Sequence, residues 1–270
     1  MNAETDAVQV LRLERHGAVA IVTLNRPERL NALNRDLQDA IVDAMAEIRE
    51  NDAIRAAVMV GAGRGFCSGA DVRGAPSVAE DGLPQNARLD ELGWVGRQAI
   101  AVSGLDKPTI AAVNGIAAGA GMSLALACDL RVGGAQAAFR SVFIERSLSP
   151  DAGLTYFLTR VVGYSRAADL VFTSRTVQAE EALQLGLLNR VVAGTDVLPA
   201  AVELADQIAR WPPLALRASK RVLQHNLECS LPEALLYEKA GLKLAALAPD
   251  DRREAIQSFA ERRPPVFTGH

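Results

Sequence analysis

The sequence predicts an α/β protein with a helical C-terminal region. Short apolar runs of strand length alternate with longer segments of helical periodicity over the first two thirds of the chain, whereas residues 201–270 carry helical patterns only. Of the 270 residues, 49% are hydrophobic and 23% are charged, which is typical of a globular protein with a substantial core. We therefore expect a core domain over residues 1–200 and a helical region over residues 201–270.

The individual elements follow from periodicity and from turn residues. Asn34 is placed to cap a helix in which Leu37, Ile41, Met45 and Ile48 recur every three to four residues. The apolar runs predict strands at 10–15, 19–24, 56–60, 109–113 and 130–132. Further helices are predicted at 92–105, 121–128, 151–162, 165–172, 179–185, 198–210, 213–226, 232–247 and 252–262.

Two segments need a separate interpretation. Residues 74–90 combine glycine, proline and acidic residues, which predicts a mobile surface loop able to cover a substrate. Residues 108–128 carry no charge and are long enough to cross a membrane. Because they contain an Asn114-Gly115 turn and are rich in Ala and Gly, we interpret them as a buried strand, a turn and a helix.

Composition excludes several classes of function. With 29 basic and 32 acidic residues the net charge is −3, so we expect neither a nucleic-acid partner nor an anionic membrane. Three widely spaced cysteines and three scattered histidines predict no disulfide framework and no metal site. Free cysteines and an N-terminus without a secretory pattern indicate a cytoplasmic location. Complete dinucleotide, P-loop and serine-hydrolase motifs are also missing from the sequence.

Two glycine-rich turns carry the chemical signal. One spans residues 65–71 and the other residues 114–121, and each follows a predicted buried strand. Small residues let a ligand approach the backbone, and the second turn leads into a helix whose first N–H groups favour negative charge. Together the turns can form a two-donor oxyanion hole, although the residues alone favour tight packing of helix on strand as their explanation.

Several segments, in their order and spacing, resemble the crotonase (enoyl-CoA hydratase/isomerase) superfamily over nearly the whole chain. They are LNRPERLNAL at 24–33, GFCSGAD at 65–71, KPTIAAVNG at 107–115, AGAGMSLALACD at 118–129, ALQLGLL at 182–188 and the tail 251–269. The resemblance implies a spiral of ββα units followed by a helical region that builds trimers or hexamers. It also implies an acyl-CoA thioester as substrate, with coenzyme A entering as part of that substrate and no separate cofactor.

The resemblance assigns roles to individual residues. The backbone N–H groups of Ala70 and Ala120 correspond to the donors that hold the thioester oxygen. Residues expected to line the substrate site are Arg29, Leu30, Ala32, Ser68, Asp71, Val72, Gly119, Ser123, Phe143, Phe259 and Arg262. Among these, Asp71 is expected to brace its loop, and Phe259 is expected either to pack in the core or to complete a neighbouring subunit's site. Arg26, Arg29 and Arg262 are candidates for CoA phosphates, and a solvated surface role is the alternative for each.

Departures from the family pattern bear on the reaction. The two glutamates of a hydratase correspond here to Ser123 and Phe143, so both are missing. One carboxylate remains in a matching place, because Ser149-Pro150-Asp151-Ala152-Gly153 resembles the turn of the 1,2-epoxyphenylacetyl-CoA isomerase branch. In that branch the matching aspartate shuttles a proton, so Asp151 is the expected acid/base. A helix N-cap is the alternative role for Asp151.

Four functions remain open at this point. The first is an enoyl-CoA isomerase that uses Asp151, and the second is a hydratase with relocated groups, for which Glu145 is the candidate. An ion pair at the surface or at an interface is the favoured role for Glu145, which lies beside Arg146 in the sequence. The third function is a non-catalytic acyl-CoA-binding protein. RNA binding ranks last, because the four lysines are scattered along the chain.

Overall fold

A six-stranded sheet forms the centre of the computed structural model, which describes residues 9–71, 89–193 and 197–270. Its order is β1-β2-β3-β4-β6-β9; β1 and β2 form an antiparallel hairpin, and every later pair is parallel. A smaller sheet has the order β5-β7-β8. The strands are β1 (Leu11–His16), β2 (Val19–Leu24), β3 (Ala56–Gly61), β4 (Thr109–Val113), β5 (Ile116–Ala118), β6 (Leu130–Gly134), β7 (Ala138–Arg140), β8 (Val177–Gln178) and β9 (Arg190–Val192).

Helices cover both faces of the large sheet. They are α1 (Arg35–Glu50), α2 (Gly93–Ser103), α3 (Ala120–Ala127), α4 (Leu154–Val162), α5 (Tyr164–Thr173), α6 (Ala179–Leu185), α7 (Val197–Ala209), α8 (Pro213–His225), α9 (Leu231–Ala245) and α10 (Pro249–Glu261). Helices α1 to α6 pack around one face, and α7 covers the other. All residues of β3 are buried, as expected for a parallel strand between two layers.

Helix α1 confirms the periodicity argument. The Asn34 side chain accepts a hydrogen bond from the Leu37 N–H at 3.1 Å and so caps the helix. Leu37, Ile41, Met45 and Ile48 are all buried in the core cluster. The uncharged stretch of residues 108–128 divides into β4, β5 and α3, so the expected buried strand and helix are present and β5 is an additional short strand between them. Within the described ranges, no helix has the length and apolar character to cross a membrane.

Partly buried ion pairs attach α8 to the core. The Lys220 ammonium donates to the Asp129 carboxylate at 2.6 Å and to the Lys107 carbonyl at 3.0 Å. Asp129 also accepts from the N–H and the hydroxyl of Thr109, at 2.7 and 2.9 Å. Arg217 and Arg221 both bind Asp106. The C-terminal region is thus fixed to the sheet through α8.

Helix α9 carries leucines that remain open to solvent in the single chain. Leu231, Leu235, Leu236 and Leu242 are all more than half exposed. The division of the chain at residue 200 stays a prediction; that position lies inside α7, which packs on the sheet. The predicted loop at 74–90 falls, except for its last two residues, outside the described part of the chain.

Candidate active site

The two glycine-rich turns lie side by side. The Ala118 N–H donates to the Cys67 carbonyl at 2.9 Å, and Cys67 forms a bridge with Ala117. Gly69 adopts φ +94°, a conformation that favours glycine. A Cβ added at Gly69 would be 2.8 Å from the Ala118 carbonyl oxygen and 3.5 Å from the Ala120 nitrogen. The first turn therefore approaches the start of α3 as closely as its backbone allows.

Ala70 and Ala120 offer two uncommitted N–H groups at this junction. Neither group donates to an acceptor among the described residues. Ala120 is the first residue of α3, where the helix dipole favours negative charge. Two later donors of the same turn, the N–H groups of Met122 and Ser123, both bond to the Gly119 carbonyl. Flanking bonds hold Ala70 in place, because the Leu33 N–H binds the Gly69 carbonyl and the Leu33 carbonyl accepts from Asp71. Two such donors suit an oxygen that acquires negative charge.

Charged and amide side chains brace the first turn. The Arg26 guanidinium donates to the Asp71 carboxylate at 2.8 Å and to the Ala32 carbonyl. The buried Asn31 amide donates to the carbonyls of Ala62 and Gly65 at 3.0 and 2.9 Å. Asp71 thus has the bracing role expected of it. Arg26, a candidate for CoA phosphates, instead directs its guanidinium to Asp71 and Ala32.

Asp151 lies in a tight turn before α4. Its carbonyl accepts from the Leu154 N–H at 2.9 Å and from the Ser123 hydroxyl at 3.3 Å. Ala152 and Gly153 follow with φ of +53° and +80°. Because Ser123 is one helical turn after Ala120, this contact ties Asp151 to the start of α3, where the Ala120 N–H lies.

The environment of Asp151 suits acid/base chemistry. The residue stays open to solvent in the single chain, yet the nearby protein raises the pKa of its carboxyl by burial, while its own N–H partly opposes this effect. The N-cap of α4 is Gly153, and α4 has no side-chain cap hydrogen bond. The alternative role of Asp151 as a helix cap is therefore wrong.

Apolar residues form the wall beside Gly119. A Cβ added there would be 3.1 Å from Val142 Cγ2 and 3.9 Å from the Phe143 ring. Phe143 and Ser123, which occupy the positions of the hydratase glutamates in the family pattern, are both buried. Neither residue supplies a carboxylate to the site.

Hydrogen bonds and an ion pair engage the Glu145 carboxylate, which makes it a poor candidate for the acid/base. Its carboxylate accepts from the Ser174 hydroxyl and lies 2.7 Å from the Arg140 guanidinium. The Ser174 hydrogen bond, and then the charge of Arg140, hold its pKa below the ordinary value. These contacts match the ion pair expected for Glu145. Sequence reasoning missed Ser174, because 29 residues separate it from Glu145 and no motif marks it.

The other predicted binding residues divide into two groups. Ser68 donates its N–H to the Leu30 carbonyl at 2.9 Å and its hydroxyl to the Arg29 carbonyl at 3.2 Å, and Ala32 lies in the same braced loop. By contrast, none of the described contacts brings Phe259 or Arg262 to these loops. Val72 lies outside the described residues.

The expectation that Phe259 packs in the core is wrong. Its side chain is 87% exposed. Helix α10 turns Asp251 and Ser258 inward instead, and Asp251 accepts from the N–H groups of Thr268 and Gly269 in the C-terminal tail. Since consecutive helical residues are rotated by about 100°, Phe259 faces away from the side that Ser258 buries.

Metal ligands do not cluster in the described residues. No three His, Cys, Asp or Glu side chains within those ranges come close enough to share an ion. Among the described residues, the site brings together backbone donors, the Asp151 carboxylate with its raised pKa and an apolar wall.

Comparisons with known proteins agree with this geometry. The family model described as "Enoyl-CoA hydratase/isomerase" matches residues 14–270. A short-chain-enoyl-CoA hydratase from Clostridium acetobutylicum is 33% identical over 252 residues, which cover 93% of this chain and 94% of that protein. The crystal structure of an enoyl-CoA hydratase from Bacillus anthracis has a TM-score of 0.88 at 30% identity and covers 97% of this chain and 100% of its own. An enoyl-CoA hydratase from Polaromonas sp. JS666 has a TM-score of 0.87 at 29% identity, with coverage of 96% and 99%. These neighbours confirm the predicted crotonase fold.

Proposed function

Because the chain belongs to the enoyl-CoA hydratase/isomerase family, we propose that it is an isomerase that moves the double bond of an enoyl-CoA thioester. The observation that carries the proposal is the place of Asp151, a single carboxylate tied through Ser123 to the helix that begins at Ala120. The epoxyphenylacetyl-CoA isomerase branch remains part of this proposal, since its aspartate turn matches residues 149–153.

The proposed reaction needs one base that later acts as an acid. The Asp151 carboxylate removes a proton from C2 of a 3-enoyl thioester, and the electron pair of the broken C–H bond delocalises onto the thioester oxygen. The N–H groups of Ala70 and Ala120 stabilise that oxyanion. Protonated Asp151 then returns the proton to C4, which leaves the double bond between C2 and C3. No water is consumed, so the missing second carboxylate is not required.

Hydration is the second candidate, because the relatives described above are named hydratases. Addition of water needs a group that activates the water and one that delivers a proton. Ser123 and Phe143 supply neither group, and Arg140 and Ser174 engage the Glu145 carboxylate. These contacts favour the isomerase.

The proposed enzyme acts as a homotrimer or as a hexamer of two trimers. The exposed leucines of α9 support an assembly that covers them, because contiguous apolar surface is costly in water. Light scattering of the purified protein tests this, and a monomer at micromolar concentration contradicts it. A cytoplasmic location belongs to the same proposal.

The decisive experiment compares the wild type with Asp151→Asn in deuterated water. A 3-enoyl-CoA and a 2-enoyl-CoA are supplied separately, and double-bond position, hydration and deuterium uptake are followed. We expect isomerisation and exchange to fall by about a hundred- to ten-thousand-fold in the variant. Asp39→Asn, an exposed substitution on α1, is the control.

Two results would overturn the proposal. Hydration that persists in Asp151→Asn would support a hydratase with other groups. CoA ester binding without any turnover would support an acyl-CoA-binding protein instead.

A further inference from the structure

We propose that Ser174 and Glu145 act as positioning residues for the oxyanion hole. Through Arg140 and Val142 they hold the segment 140–143 against Gly119 and thereby set the direction of the Ala120 N–H. The inference rests on the proposed function in one respect, since it takes that N–H as a donor to the thioester oxygen. We call the hydrogen-bonded group of Ser174, Glu145 and Arg140 the clamp.

The backbone of Arg140 lies directly beside the residue before Ala120. Arg140 pairs with Ala118 in the ladder between β5 and β7. Its carbonyl also accepts a hydrogen bond from the Gly119 N–H at 3.0 Å. Gly119 has φ +53° and is the N-cap of α3. A shift of the Arg140 backbone therefore moves the peptide that precedes the Ala120 N–H.

Val142 occupies a backbone conformation that its side chain disfavours. Its φ is +58°, and left-handed backbone is rare for a β-branched residue. Such a conformation persists only where its surroundings enforce it. Here the Val142 N–H donates to the Ser174 hydroxyl at 3.1 Å. The same residue forms the wall beside Gly119, with its Cγ2 3.1 Å from a Cβ placed at that glycine.

The clamp fixes the orientation of the Ser174 hydroxyl. Its single proton goes to Glu145, so its lone pairs are left for the Val142 N–H. The Arg140 guanidinium bonds to Glu145 at 2.7 Å and, through Nε, to the Ser174 carbonyl at 2.9 Å. The ring of contacts is closed, and Ser174 within it is buried. Glu145 thus acts on the segment through Ser174 and Arg140 rather than on the substrate.

Ser174→Gly is the most informative substitution. Ser174 has φ +49°, which glycine adopts without strain, so the variant removes the hydroxyl and keeps the backbone conformation. Ser147→Gly is the matched control, because Ser147 is exposed and has φ +54° close to the same segment. Thermal unfolding of both variants separates effects on folding from effects on the site.

The first readout is the infrared carbonyl stretch of 1-¹³C-labelled 2-butenoyl-CoA bound to the full-length protein. Hydrogen bonds from Ala70 and Ala120 lower this frequency relative to the free thioester. We expect a smaller shift in Ser174→Gly than in the wild type and Ser147→Gly. The second readout is isomerisation, in which kcat falls about 3- to 10-fold at little changed KM. In the pH profile of isomerisation, the midpoint of the decline at acidic pH should be unchanged, because the variant leaves Asp151 in place.

Glu145 provides the rescue experiment. Glu145→Gln keeps an oxygen that accepts from Ser174 and Arg140, so we expect most of the shift and of kcat to be retained. Glu145→Ala removes that acceptor and should behave like Ser174→Gly.

The following results overturn the inference. One is a carbonyl shift in Ser174→Gly equal to that of the wild type, and another is a loss of activity in that variant that is no larger than its loss of stability explains. A third is a Glu145→Gln variant that has no activity, or whose activity no longer declines at acidic pH. The last result would make Glu145 the acid/base itself. If the wild type shifts the carbonyl stretch of the bound thioester but catalyses no isomerisation, the proposed reaction is overturned. The carbonyl shift would then still serve to test the clamp. A bound thioester without a shift in the wild type would overturn the clamp as well.

Discussion

The hydroxyl of Ser123 donates to the carbonyl of Asp151 across 3.3 Å and so joins α3 to the turn that precedes α4. The same hydroxyl lies 3.4 Å from the Gly119 carbonyl, one turn back along α3. Ser123, which the resemblance places at the position of a hydratase glutamate, therefore supports the backbone of Asp151, the proposed acid/base.

Ser123→Ala should lower kcat a few-fold and cost about 1 kcal/mol of the free energy of unfolding. The loss is small because the Asp151 carbonyl keeps the bond from Leu154. Ser103→Ala is the control, since the Ser103 hydroxyl also bonds one turn back, to Ala99, but has no contact with the site. Steady-state kinetics and urea unfolding of both variants make the comparison. Equal kcat values in the two variants would contradict the link.

Activity should decline with acid around a pKa above 3.8, the ordinary value for aspartate. Burial raises the pKa of Asp151, and only the ionised form acts as a base. Stability should change with pH in the opposite direction to activity. Because the pKa of Asp151 is raised in the folded state, its ionisation at higher pH lowers the free energy of unfolding. Asp151→Asn should therefore be more stable than the wild type near pH 7, and this gain should disappear as the pH falls through the raised pKa. The pH profile of kcat/KM and unfolding curves at several pH values test both parts.

Gly69→Ala should reduce turnover by about a hundred-fold or more. A Cβ there would be 2.8 Å from the Ala118 oxygen and 3.5 Å from the Ala120 nitrogen, where the substrate oxygen is expected to bind. Gly17→Ala is the control that separates the cost of an alanine at positive φ from the cost of filling the site. Gly17 also has positive φ, but nothing lies within 4 Å of its added Cβ. We expect Gly17→Ala to cost about 1 kcal/mol of stability and no activity. Full activity in Gly69→Ala would place the thioester oxygen elsewhere.

Removing the two partners of the buried pair under α8 should have unequal effects. Asp129→Ala leaves the buried Lys220 ammonium with the Lys107 carbonyl as its partner among the described residues and should cost about 3 kcal/mol of stability. Lys220→Met should cost less, because Asp129 keeps both donors from Thr109. Chemical denaturation of each variant measures the difference. A larger loss in Lys220→Met would show that the aspartate depends on the lysine rather than the reverse.

The sequence predicts the long elements better than the short ones. In helix α1 the apolar residues recur every three to four positions, and strand β4 is a continuous apolar run. Both elements occur as expected. The sequence does not predict the small sheet of β5, β7 and β8, because strands of two or three residues are too short for a periodic signal. Helix α4 begins at Leu154 rather than at residue 151, since Ala152 and Gly153 are in left-handed conformations that no local pattern reveals.

The same limit applies to the site. The glycine-rich turns indicate a place where a ligand can approach the backbone, and the family resemblance then assigns the donors to Ala70 and Ala120. The clamp depends instead on a contact between Glu145 and Ser174, which only the folded chain brings together. The exposure of Phe259 likewise depends on which side of α10 the C-terminal tail covers.

Both expected oxyanion donors belong to the main chain, and this shapes how such a site can evolve. Every residue except proline carries an N–H, so nearly any replacement at positions 70 and 120 preserves the donor itself. Carboxylates have no such protection, since one codon change removes them. A lineage built on this scaffold can therefore exchange its acids and bases, and with them its reaction, while the capacity to polarise a carbonyl passes on with the fold.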